Sequence, residues 1–193
     1  ESVYQIPQKQ KSQLLVHLLS GAEVGRTLVF TRTKHGADRV VKHLSRAGIQ
    51  AEALHGNKTQ ASRLRTLNNL RNNRTKVVVA TDVAARGIDV DNISHVFNYD
   101  LPHEPETYVH RIGRTGRAGA KGLAISFCDM EEQKFLRNIE RLTKKRIPVD
   151  RSPRPEFKAL PPESRQDETR ERHQQDIDPR RRSDFTRGYL RLG

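Results

Sequence analysis

The run KVVVAT, residues 76–81, is apolar at every position from Val77 to Ala80. A strand with one wet face alternates apolar and polar side chains. A β-branched run without alternation has both faces buried, and such strands belong to parallel sheets covered by helices on either side. The rest of the chain must then supply more strands, and helices long enough to cross between them.

TLVFTR (27–32), IQAEALH (49–55), HVFNYD (95–100) and LAISF (123–127) read as those further strands. KQKSQLLVHLLS (9–20), GADRVVKHLSRAG (36–48), TQASRLRTLNNLR (59–71), ETYVHRIG (106–113) and EEQKFLRNIERLTKK (131–145) read as helices. Val40, Val41 and Leu44 fall at helical spacing, with Gly48 as a stop signal. Leu64, Leu67 and Leu70 are expected on one helical face behind Thr59 as N-cap. Strands alternating with such helices predict an α/β fold over residues 1–150, a parallel sheet with helices on both faces. Ligands of these sheets gather at the carboxyl ends of the strands. The polar segments TRTK, HGNK and ATDVAARGID, and the Gly- and Arg-rich turn HRIGRTGR, are therefore expected to converge on that edge.

Beyond Val149 the text changes. Residues 151–193 hold five of the nine prolines and few aliphatic residues, with 11 Lys+Arg against 8 Asp+Glu. Such a segment buries too little to fold by itself and reads as a flexible basic tail. Its arginine-rich end, PRRRSDFTRGYLR (179–191), interleaves Phe185 and Tyr189 with cations, a composition suited to RNA.

The whole chain carries 36 Lys+Arg against 23 Asp+Glu, a formal +13. An excess of that size points to a polyanionic partner, because clustered cations release counterions condensed on nucleic acid. The single cysteine, Cys128, excludes an internal disulfide, suits a reducing cytoplasm, and sits in an apolar run where burial is expected. No apolar stretch approaches the roughly 20 residues of a membrane span, and no signal-peptide pattern opens the chain. The first residue is Glu and not Met, as in a piece of a longer protein.

Candidate site residues cluster in two stretches. In VVVATDVAARGIDV (77–90), Thr81 at a strand end can bond a phosphate oxygen, Gly87 permits close backbone approach, and Asp89 can accept from ribose hydroxyls. Taken one at a time, these residues read equally well as an ordinary strand–turn with Asp82 and Asp89 as caps. In YVHRIGRTGRAG (108–119), Arg111, Arg114 and Arg117 recur every third residue, with a glycine before each of the last two.

Taken together, ATDVAARGID, NYDLP and HRIGRTGRAG, in that order and spacing, strongly resemble the second RecA-like domain of DEAD-box RNA helicases. LVFTRTK is similar to motif IV of that family, the Gln60–Arg63 pair to its QxxR element, ATDVAARGID to motif V and HRIGRTGR to motif VI. The resemblance covers residues 1–150, and the TRTKHGA and IPV wording resembles the bacterial RhlE-type subgroup. It implies a RecA-like helicase C-terminal domain that works on ATP with Mg²⁺. The metal and the phosphate loop would then belong to a preceding RecA-like domain, since the chain has no GxxxxGK[ST] run and no Asp-Glu-Ala-Asp run. By the same resemblance Arg114 and Arg117 are arginine fingers, Asp89 and Gly87 meet the nucleotide, and His110 and Arg111 couple or brace the site. Lys34, Gly56, Asn57, Arg63, Thr81 and Gly87 would meet an RNA backbone. Asn57 departs from the family's usual Asp, and Leu70 from a common aromatic. The rival readings are a non-enzymatic RNA-binding module and a DNA helicase of the same superfamily. Oligomeric state is open.

Overall fold

The computed structural model describes residues 1–21, 24–85, 90, 92–116 and 122–152. All of them lie in one unit, Glu1–Phe157. Among the described residues there are six strands: β1 (Ser2–Gln5), β2 (Thr27–Phe30), β3 (Ala51–Leu54), β4 (Val77–Ala80), β5 (His95–Asn98) and β6 (Leu123–Cys128). The helices are α1 (Lys11–Leu19), α2 (Lys34–Arg46), α3 (Gln60–Arg71), the short α4 (Asp82–Ala85), α5 (Pro105–Ile112) and α6 (Gln133–Thr143). The strands form one sheet in the order β1-β6-β5-β2-β4-β3, and every pairing is parallel.

The run that opened the sequence reading behaves as its composition demands. Val77, Val78, Val79 and Ala80 are all buried, with β2 on one side and β3 on the other. Val29, Val77, Val79, Phe97 and Phe127 face α1 and α2, packing on Leu14, Leu15, Val40 and Leu44. Leu28, Phe30, Val78 and Val96 face the opposite way, onto Leu70 of α3 and Ala84 and Ala85 of α4. On that second face, toward β1, Val3 and Cys128 pack with Tyr108 of α5 and Leu136 and Ile139 of α6. Burial pushes the Cys128 thiol up to about 12, so it is a small apolar side chain and no nucleophile.

Three details of the sequence reading need correction. β1 was not foreseen: SVYQ is short and lies at the β1 end of the sheet, where its partners are β6 and a bridge from Val149. Leu64 is not on the buried face of α3; it is 53% exposed, while Leu67 is half-buried and Leu70 buried. Residues three apart drift by about 60° around a helix at each step, so two steps carry Leu64 out to solvent. Lys11, in the polar half of the first predicted helix, is fully buried, and its Nζ stands 2.5 Å from Glu132 Oε2 and 3.4 Å from Asp129 Oδ2. Thr59 caps α3 as expected, its hydroxyl accepting from Ser62 N, and Thr33 caps α2 in the same way through Gly36 N. The predicted tail, apart from Arg151 and Ser152, lies outside the described residues. Among the described residues no helix is long and apolar enough to cross a membrane.

Candidate functional site

Three of the four polar segments meet where expected. Thr31–Lys34 follow β2, His55–Lys58 follow β3 and Thr81–Asp82 follow β4, all at the carboxyl edge of neighbouring strands. Thr81 N donates to Leu54 O, which ties the ends of β4 and β3 together. Lys34 Nζ donates to Asn57 Oδ1 at 3.2 Å, and Asn57 N donates to His55 Nδ1 at 3.3 Å. That last bond fixes the tautomer of buried His55: Nδ1 accepts, so Nε2–H donates to Asp38 Oδ1 at 3.0 Å. Burial alone would push the Asp38 carboxyl up, but hydrogen bonds from His55 and Lys58 hold it below its usual range. A Cβ placed on Gly56 would meet nothing within 4 Å, so no neighbour among the described residues crowds that position. Arg63, in the first turn of α3, donates from Nη1 to Gln60 Oε1 at 3.2 Å; its Nε is buried and has no partner among the described residues.

The arginine turn lies elsewhere. α5 starts at the carboxyl edge after β5 and runs back along the second face, since the next strand is parallel. Eight helical residues carry the chain about 12 Å. Thr115 consequently bonds the Ile93 carbonyl, before β5 begins. Gly116 takes a φ of 70°, the left-handed conformation that favours glycine. Gly122 abuts the same turn: a Cβ there would stand 2.1 Å from Thr115 Oγ1 and 2.4 Å from Gly116 N. Sequence reading singled out the glycines inside the motif and missed this one, whose need for a bare backbone arises only from a neighbour across the turn.

What joins the two places is Arg111. Its guanidinium is buried on the second face and clasps Asp82 bidentately, Nε to Oδ1 at 2.6 Å and Nη2 to Oδ2 at 2.8 Å. Nη1 donates to Asn98 Oδ1 at 3.1 Å and to the Asp100 carbonyl at 2.7 Å, and the group lies 5.1 Å from the Phe30 ring centroid. Asn98 in turn donates to Ser126 Oγ. This planar fork, with four of its five donors engaged, fixes α5 against the ends of β4 and β5. Exposed His110, half-buried Arg114, Asp82, Ala85, Thr107 and Phe30 line the adjoining cleft of about 270 Å³ with Arg111. Gly87, Asp89 and Arg117, the remaining expected nucleotide contacts, lie outside the described residues.

A second network was not foreseen. Glu132, before α6, accepts from Lys11 Nζ, from Arg32 Nη2 at 2.6 Å and from Leu101 N at 3.1 Å. Arg32 N also donates to Asp100 Oδ2 at 2.9 Å. Burial pushes the Glu132 carboxyl up, and the Lys11 ammonium pulls it back. The network holds Arg32, and with it the start of the Thr31–Lys34 segment. Among the described residues no group of three or more His, Cys, Asp or Glu side chains could hold a metal ion.

With this geometry in hand, likeness to known proteins is specific. Residues 10–119 match the helicase conserved C-terminal domain. The ATP-dependent RNA helicase CshA of Listeria monocytogenes is 46% identical over 142 residues, which are 74% of this chain and 27% of that protein. The chain thus spans about a quarter of the length of that curated relative. Among solved structures, the Escherichia coli DEAD-box protein SrmB, bound to the regulator of ribonuclease activity A, superposes with a TM-score of 0.76 at 39% identity, covering 83% of this chain and 95% of that one. A DEAD box protein from Methanococcus jannaschii gives 0.73 at 39% identity over 78% of this chain and 41% of that one. Sheet, motif order and relatives agree: the chain belongs to the helicase conserved C-terminal domain family, in its DEAD-box branch.

Proposed function

We propose that the chain is the C-terminal half of the motor of an ATP-dependent RNA helicase. It would supply guanidinium groups to ATP and backbone contacts to RNA, while an upstream RecA-like domain of the same protein supplies the phosphate loop and the carboxylates for Mg²⁺. The observation that carries this reading is the Arg111–Asp82 clasp, which sets His110 and Arg114 at the mouth of one cleft and joins their helix to the strand ends beside Lys34 and Asn57. ATP with Mg²⁺ supplies the phosphoryl group that water attacks. Arg114, and Arg117 beyond it, stabilise the charge that develops there; Arg111 is a positioning residue, since its donors are spent on Asp82, Asn98 and Asp100. Asp89 and Gly87 would meet the nucleotide, Gly87 also the RNA, and His110 would couple the two ligands. On the RNA side, Lys34, Gly56, Asn57, Arg63 and Thr81 offer an ammonium, a guanidinium, polar groups and an uncrowded backbone, which hold a strand without reading its sequence. A cytoplasmic setting suits the single buried thiol.

The 193-residue chain alone is expected to show no ATP hydrolysis above background, and the full-length protein hydrolysis stimulated by RNA more than by DNA of matched sequence. Turnover by the rigorously purified chain alone, or full-length protein indifferent to RNA, overturns the proposal. Gly122→Ala in the full-length protein tests the seat of the arginine turn. It is expected to lower RNA-stimulated turnover at least about tenfold, the equivalent of ~1.4 kcal/mol in barrier, with RNA binding in the absence of nucleotide retained. Wild-type turnover would show that the turn accommodates a methyl group and does not set the reaction.

A further inference from the structure

A buried histidine fastens the turn after β3 from its inner side. His55, Gly56, Asn57 and Lys58 form a β-turn closed by Lys58 N, which donates to His55 O at 3.0 Å. Gly56 and Asn57, the central residues, are exposed, whereas the His55 side chain is only 2% exposed. A buried imidazole needs a partner for each nitrogen. Nδ1 accepts from Asn57 N at 3.3 Å, and Nε2 stands 3.0 Å from Asp38 Oδ1 on α2. Lys58 Nζ donates to the same Asp38 oxygen at 3.1 Å. Burial raises the Asp38 carboxyl, but the bonds from His55 and Lys58 hold it below its usual range, so it is ionised and can only accept. Nε2 must therefore donate, and Nδ1 is left as an acceptor that faces the turn.

A side-chain acceptor that takes the N–H two residues on makes an Asx-turn, ordinarily the work of Asn or Asp. Here an imidazole makes that bond, and it can do so in one tautomer only, which Asp38 selects. The turn is tied further by Thr81 N, which donates to Leu54 O, and by Lys34 Nζ, which donates to Asn57 Oδ1 at 3.2 Å. Its outer side is bare, since a Cβ on Gly56 would meet nothing within 4 Å. We propose that His55 is a positioning residue for RNA: its ring, set by Asp38, replaces the oxygen of an Asx-turn and fixes the Gly56–Asn57 backbone where a phosphate meets it. This rests on the reading of the strand-end segments as RNA contacts, and it assigns the residue that gives the turn its shape. A histidine that merely packs would not care which of its two nitrogen roles a substitute preserves.

The test compares His55→Asn, His55→Gln and His55→Leu in the full-length protein. It reads the RNA concentration that half-maximally stimulates ATP turnover, and turnover at saturating RNA. Asn carries an oxygen on Cγ, where the ring carries Nδ1, and can accept from Asn57 N. Gln carries its amide nitrogen further out, where the ring carries Nε2, and can donate to Asp38 only. Leu does neither. His55→Asn is expected to stay within about twofold of wild type in RNA requirement, while His55→Gln and His55→Leu raise it about fivefold, the equivalent of ~1 kcal/mol. Saturated turnover should hold within about twofold in all three. Thermal unfolding should rank the two amides the other way, since Asn leaves a void and drops the Asp38 bond. An RNA requirement that follows stability, with Asn worse than Gln, overturns the proposal and leaves the ring a packing role. A requirement unchanged or equally raised in all three also overturns it, as does a fall in saturated turnover with the requirement unchanged. If His55→Leu does not fold, the Asn–Gln comparison decides alone. Lys34→Gln/Arg63→Gln separates this from the reading beneath it. If that variant leaves the RNA requirement unchanged, the strand-end site fails and the role of His55 with it. If it raises the requirement while the His55 series does not split, only the role of His55 falls.

Discussion

Arg114→Ala in the full-length protein is expected to lower ATP turnover by about 10³-fold or more, with the apparent affinity for ATP changed only a few-fold. The split follows from where the charge is. A guanidinium that meets charge developing on the phosphoryl group contributes to the transition state and little to the ground state. The structure sets Arg114 one helical turn beyond buried Arg111, at the lip of the cleft beside His110. Arg114→Lys is expected to recover little, because an ammonium lacks the planar fork. Arg117→Ala is expected to behave alike. Steady-state kinetics with nucleotide binding measured in parallel decide the matter: a raised KM with unchanged kcat would make Arg114 a ground-state contact.

Asp82→Ala is expected to destabilise the domain by about 3–5 kcal/mol, a large part of the ~5–15 kcal/mol typical of a folded domain. The cost is asymmetric. Arg111 is buried, so removing Asp82 leaves its guanidinium cation without the carboxylate that balances it. The Asp82 side chain keeps 31% exposure, so Arg111→Met, which also fills the volume, should cost only about 1–3 kcal/mol through the orphaned Asn98 and Asp100 acceptors. Combined, the two changes are expected to cost less than Asp82→Ala alone. Denaturant unfolding of the three variants measures this, and a loss below about 1 kcal/mol for Asp82→Ala would show that the clasp holds nothing.

The legible part of this fold was periodic. An unbroken apolar run, helices with a buried stripe, and caps at Thr59 and the turn after α2 are all local statements, and they hold except at Leu64. The carboxyl-edge rule then placed Lys34, Asn57 and Thr81 together without any pairwise information. The unreadable part was long-range pairing of charge. Lys11 and Glu132 each look like surface residues to any periodic reading; they are buried because each has the other, far along the chain. Asp82 reads as a helix cap until Arg111 arrives from another helix to claim it. Gly122 stands outside any motif. The arginine turn was misplaced at the strand edge because a topological rule about strands was applied to a segment that follows a helix.

β1 has β6 on one side and the bridge from Val149 on the other, with Ser2 beside Ile125. On the ribosome this ordering has a cost in time. At roughly 5–20 residues per second, β1 emerges about 6–25 s before the strand it will pair with. Throughout that interval its apolar Val3 and Tyr4 have no sheet to join, and β2, β4 and β3 can pair among themselves while the first strand waits. The domain therefore closes from the middle outward, and its earliest residues are among the last to be secured. A holding chaperone would find this domain most exposed at its first strand, not its last.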